Sequence, residues 1–150
     1  MQIAFTGPRT LTNTQRALII SELDLITCPN WIVGDAGGVD KLVSLTAQSR
    51  GLNCLIYKVG ENPSRWEFAQ RSKRMIDAAC IFGTSILYAF PNKPCPNGCK
   101  PEKSVNGNGS GTWLTIAYAV YKGMEIKIVK LDDFELPTWL EYSQIELKLF

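Results

Sequence analysis

The stretch WIVGDAGGVDKLVSLTAQSRGLNCLIY, Trp31 to Tyr57, decides the fold. Trp31-Ile32-Val33 is a short apolar run bounded by glycine, the pattern of a buried strand. Gly34-Asp35-Ala36-Gly37-Gly38 breaks that run. Val39, Leu42, Val43 and Ala47 then recur at the spacing of one helix face, and Gly51 closes the helix. Cys54-Leu55-Ile56-Tyr57 is the next strand. Strand, glycine turn, helix and strand in this order form a βαβ unit, which makes the two strands parallel.

The same alternation continues in both directions. Upstream, Ile3 to Thr6 reads as a strand stopped by Gly7-Pro8. A helix follows from about Asn13 to Ile26. Thr12 and Gln15 have the spacing of a capping box, and Ile19, Leu23 and Ile26 face the core. Pro29 ends that element.

Downstream, Ser64 and Glu67 pair as a second capping box and open a helix to about Ala79. Phe68, Ser72, Met75 and Ala79 lie along its inner face. Ile86 to Phe90 is a fourth strand. A long polar loop from Pro91 to Gly109 leads to a helix from Thr112 to Tyr121 that is apolar nearly all round. Gly123 ends it, and Ile126-Lys127-Ile128-Val129 is the fifth strand. The tail with Trp139, Leu140 and Leu147 reads as a helix or a strand packed on one edge. The expected fold is a single α/β domain spanning residues 1–150, with 130–150 as a C-terminal edge extension. It is a Rossmann-like, doubly wound, mainly parallel five-stranded sheet with helices on both faces.

Composition removes several classes of function. The chain has 150 residues, 45% hydrophobic and 20% charged, with a net charge of +2. That balance is ordinary for a globular domain and too small to argue for nucleic acid or a membrane surface. No apolar run is long enough to span a bilayer. The start, MQIAFTGPRT, lacks a basic signal-peptide region and enters a strand at once, so a cytoplasmic location is expected. There is no histidine, which excludes Ser-His-Asp and Cys-His catalysis and histidine metal ligands. Five cysteines, an odd number without a secretion signal, are read as reduced thiols. Cys95 and Cys99 alone do not complete a tetrahedral zinc site, so no metal and no resident cofactor are expected.

Ligands of open α/β sheets bind beyond the carboxyl ends of the strands, where strand order switches direction. Three loops fall on that rim. In Thr6-Gly7-Pro8-Arg9, Gly7 lets backbone approach a ligand and Arg9 can pair with a phosphate or carboxylate; the plain alternative is a strand-ending turn. In Gly34 to Asp40, the amides around Gly37 and Gly38 open a helix and form a ready anion site. Asp35 or Asp40 could accept hydrogen bonds from ribose hydroxyls, and either serves equally as a helix N-cap. In Gly107-Asn108-Gly109-Ser110-Gly111-Thr112, Gly109 and Gly111 bracket Ser110, and Thr112 can cap the helix or bond a phosphate. Arg71 and Arg74 share a helix face, from which one arginine can reach an anion.

Taken together, these loops resemble the SLOG superfamily. That group holds the LOG-type nucleotide-processing enzymes, the DNA-uptake processing proteins and small stand-alone domains of the YspA-like kind. Thr6-Gly7-Pro8-Arg9 is similar to the first-strand glycine-arginine motif, and Gly34 to Asp40 resembles the second-strand loop that ends in Gly-x-Asp. Arg71-Ser72-Lys73-Arg74-Met75 is similar to an Arg-Asn-x-x-Met helix motif with Ser72 in place of the asparagine. Ser110-Gly111-Thr112 matches a Gly-Thr step. The resemblance covers Met1 to about Val129 and implies a Rossmann-like fold and a nucleotide-derived ligand. LOG-type enzymes carry a glutamate three residues after the Gly-Thr step; here Thr115 stands there, so the phosphoribohydrolase activity is not carried over.

Three functions follow as expectations. The first is a sensor or binding domain for a nucleotide-like, phosphate-bearing small molecule. The second is a hydrolase of a nucleotide or N-glycosidic bond, with Asp35 or Asp40 as general base. The third is a single-stranded nucleic-acid binder that stacks bases on Trp66 and Trp113. The apolar tail, with Trp139, Leu140, Leu147 and Phe150, either covers a second copy in a homo-oligomer or completes the monomer's own core.

Overall fold

A computed structural model of the chain describes residues 1–81, 83, 85–104 and 110–140, and the backbone of 144–148. Six parallel strands form one sheet: β1 (Gln2–Thr6), β2 (Asn30–Gly34), β3 (Asn53–Tyr57), β4 (Ser85–Ala89), β5 (Glu125–Lys130) and β6 (Gln144–Lys148). Their order is β3-β2-β1-β4-β5-β6, the doubly wound Rossmann arrangement. Four helices connect them: α1 (Asn13–Asp24), α2 (Val39–Arg50), α3 (Arg65–Ile81) and α4 (Gly111–Tyr121). The tail, expected as a helix or a strand packed on one edge, forms a sixth strand at that edge, parallel to β5, with Lys127 paired to Ile145 and Val129 to Leu147.

Each face of the sheet has its own core, because successive strand residues point to opposite sides. Ile3, Phe5, Trp31 and Val33 face α1 and α2, where they meet Ile19, Leu23, Val43 and Ala47. Ala4, Ile32, Leu87, Ile126 and Ile128 face α3 and α4, where they meet Met75, Ile76, Trp113 and Ile116. The α4 helix is buried along almost its whole length, as its nearly uniform apolar sequence requires.

Local chemistry sets the helix ends. The α1 capping box is complete: Gln15 N–H donates to Thr12 Oγ1 at 3.1 Å, and Thr12 N–H donates to Gln15 Oε1 at 3.0 Å. That helix ends at Asp24, two residues short of Ile26, because the Leu25 and Ile26 N–H groups turn back onto the Glu22 and Leu23 carbonyls, each at 3.1 Å. The Ser64–Glu67 pair at the head of α3 is looser, at 3.3 and 3.4 Å. Gly51, with φ +68°, takes the left-handed conformation that closes α2.

Candidate functional site

The switch point lies between β1 and β4, whose chains leave in opposite directions across the sheet. A cavity of about 660 Å³ opens there, of a size that holds a small organic ligand. Thr6 to Thr10 after β1, Pro91 to Lys93 after β4, the first two turns of α3 and the start of α4 line it, together with Ala36 and Asp40.

Loop one and loop two are locked together. Val39 N–H donates to Pro8 O at 3.1 Å, so the first amide of α2 is spent on the protein. Gly38, with φ +61°, is the N-cap, and a Cβ there would meet the Arg9 carbonyl oxygen at 2.6 Å. A side chain at position 7 would collide with Val39. Gly7 and Gly38 thus allow two backbones to pack, which fixes where Arg9 starts. Arg9 then stretches its guanidinium over the Phe68 ring, 4.0 Å from the centroid. This cation–π contact ties loop one to α3 across the cavity.

Behind Arg9 lies a buried charge cluster. Arg71 is only 6% exposed. Its Nη1 donates to Asp35 Oδ1 at 2.7 Å and to the Tyr57 carbonyl at 3.3 Å, and its Nη2 stands 3.9 Å from Asp40 Oδ2. Asp35 is consumed by this work, since its Oδ2 accepts from Val59 N–H at 3.2 Å. Asp40 accepts from Ala36 N–H at 3.1 Å and lines the cavity. Burial pushes its carboxyl up to about 6, against the opposing pull of Arg71 and the Ala36 amide. Arg71 Nε–H is buried and has no acceptor among the described residues, a costly state for a charged donor. Gly34 makes the cluster possible: a Cβ there would sit 2.5 Å from Arg71 Cζ and 2.7 Å from Asp40 Oδ2.

The opposite wall is the α4 N-terminus. Ser110, not Thr112, is the N-cap, and its hydroxyl accepts from Trp113 N–H at 3.2 Å. Thr112 is therefore released from capping. Thr112 lines the cavity together with Thr6 and Ser72, all three buried. The amides of Gly111 and Thr112 precede the first internal helix bonds, so the positive end of the helix opens here. Lys93 adds a cation to the wall.

The sequence-read residues divide as follows. Gly7, Pro8, Arg9, Asp40, Arg71, Ser110, Gly111 and Thr112 come together around one cavity. Asp35, Gly37 and Gly38 sit behind it, where they shape loop two. Gly109 lies outside the described residues. Trp113, read as a stacking platform, is fully buried; its indole Nε1–H donates to Lys93 O at 2.8 Å and its ring packs edge-on against Trp139. It cannot stack a base. Thr115 is also buried and donates to Gly111 O at 2.8 Å. Sequence reasoning placed Thr6 and Gly34 in the first and second rim loops without giving either a role, and missed Phe68 and Lys93 as parts of the site.

The cysteine loop packs down instead of standing free. Cys99 is buried and its thiol faces the Trp113 carbonyl at 3.7 Å, while the Cys95 thiol reaches Cys99 O at 3.6 Å. Burial, reinforced by Cys99, pushes the Cys95 thiol up to about 12, so it stays protonated at neutral pH. Among the described residues, no three acidic or cysteine side chains gather as a metal site, and no helix is long and apolar enough to cross a membrane.

Fold and site together define a class: a doubly wound parallel α/β protein with a partly apolar, partly cationic crevice at the switch point of its sheet. No protein-family model, curated protein or solved structure matches the chain significantly.

Proposed function

We propose that the chain binds a phosphate-bearing, nucleotide-type small molecule in this crevice and acts as a binding or sensing domain. The observation that carries the reading is the set of groups that the cavity brings together. Arg9, Lys93 and the open N-terminus of α4 line it, and so does Asp40 beside Arg71. Cations and free helix amides meet an anion, and Asp40 accepts from neutral hydroxyls, such as those of a sugar. Arg9→Ala removes one charge-assisted contact, worth about 1.5–3 kcal/mol, and weakens nucleotide binding at least roughly tenfold. Calorimetric titration with a panel of mono- and dinucleotides tests this; unchanged affinity in a folded Arg9→Ala variant removes Arg9 from the site.

A second reading rests on Asp40. A carboxyl raised to about 6 by burial, facing a ligand cavity, is the form a general acid or base takes at neutral pH. In that case Asp40 takes a proton from water as the water attacks the anomeric carbon, and the bond from sugar to base breaks. Product analysis of every bound nucleotide separates the readings. A ligand recovered intact supports the binding domain, and turnover that survives Asp40→Asn rules out this base.

A further inference from the structure

We infer that Trp66 is the stacking shelf for a planar heteroaromatic ring, and that the crevice therefore selects nucleoside phosphates over simple sugar phosphates. This rests on the phosphate reading above and adds the base to it.

The four tryptophans are used in different ways. Trp31 and Trp113 are wholly buried, and Trp139 packs half-buried against Trp113. Trp66 is 69% exposed and belongs to neither core. It has no hydrogen-bond or ring partner among the described residues, yet it lines the cavity from the first turn of α3. An indole left open at the rim of the crevice offers a flat π-face with no competing contact. Phe68, the other aromatic on this wall, is already engaged, with Arg9 4.0 Å and Arg71 5.8 Å from its centroid. Ala69, one turn along from Trp66, keeps the wall low beside the ring.

The placement of Trp66 gives the shelf its meaning. Trp66 lines the same cavity as Asp40, Arg9, Lys93 and the start of α4. A base on Trp66 therefore leaves its sugar and phosphate to the acceptor and the cations of that cavity. Arg65 beside Trp66 adds charge to the same rim. Stacking reads ring area more than edge chemistry, so purines bind more tightly than pyrimidines.

The test compares adenosine 5′-monophosphate, cytidine 5′-monophosphate and ribose 5-phosphate on the wild type, Trp66→Ala and Trp66→Phe, by calorimetry. The exposed position leaves folding intact, which circular dichroism checks. The expected result is roughly tenfold tighter binding of the adenine nucleotide than of ribose 5-phosphate in the wild type, lost in Trp66→Ala and largely kept in Trp66→Phe. Equal affinities in the wild type, or a base preference that survives Trp66→Ala, overturn the shelf while ribose 5-phosphate binding leaves the phosphate reading standing. Failure of all three ligands to bind overturns both.

Discussion

Asp40 shows how one side chain can be both structural and reactive. Its neighbours split Arg71 unequally: Asp35 takes the guanidinium at 2.7 Å, and Asp40 is left at 3.9 Å with the burial penalty. Its carboxyl rises from 3.8 to about 6. The folded state therefore favours the neutral acid. The group's contribution to stability is full below the unfolded value and is lost as pH rises through about 6, a swing of about 3 kcal/mol. Asp40→Asn keeps an acceptor for the Ala36 amide and abolishes the titration. Denaturant unfolding of both proteins from pH 4 to 7 checks this: the wild type should lose stability relative to the variant across that range, and parallel curves would refute the assignment. The sequence supplied Asp35 and Asp40 as equal candidates. It could not rank them, because the ranking depends on an arginine thirty-one residues beyond Asp40 that only the fold delivers. The glycine at 34 was visible only as the start of the second rim loop, since the guanidinium it makes room for is equally remote in sequence.

At the scale of elements, helix ends explain most of what was legible and most of what was not. The α1 capping box, the αL glycine closing α2 and the glycine turn before α2 were all written in local residue order. The tail stood open between helix and strand; it forms β6 (Gln144–Lys148), whose residues alternate with the period of two of a strand, but a tail without a following element gives no crossover to confirm it. The cap of α4 was harder, because Ser110 and Thr112 are both good capping residues and only the helix register chooses between them. Arg50 is a contact no local pattern announces. Its guanidinium donates to Leu23 O at 2.9 Å and Ile26 O at 2.8 Å, and so satisfies the carboxyl end of α1 from the last turn of α2. It also lies 5.3 Å from the Trp31 ring centroid. Arg50→Ala should lower unfolding stability by about 1–2 kcal/mol and leave ligand affinity untouched, since Arg50 is remote from the cavity. Thermal unfolding with a parallel binding titration measures both; a loss of affinity would show that α1 and α2 are coupled to the crevice.

For the whole molecule, the doubly wound topology converts three weak glycine motifs into one site. Each loop alone supports a plain structural reading, and two of the expected residues, Gly37 and Gly38, prove to hold backbone against backbone. Strand order β3-β2-β1-β4-β5-β6 opens the sheet at β1 and β4, and the ends of those strands and the helices around them bring Arg9, Asp40, Arg71 and Thr112 to one cavity. The fold class was readable because alternation of strand and helix is a global pattern with few solutions. The stacking reading of Trp113 came from the glycine loop beside it, and the burial that the apolar α4 sequence calls for prevails over it. A phosphate-bearing ligand at the amino end of α4 is tested by amide chemical-shift mapping during titration with adenosine 5′-monophosphate. Saturable shifts are expected at Gly111 and Thr112, joined by Arg9 and Ala36, with the α1–α2 contact around Arg50 unmoved. Saturable shifts that avoid Gly111 and Thr112, or no shifts at all, would contradict that placement.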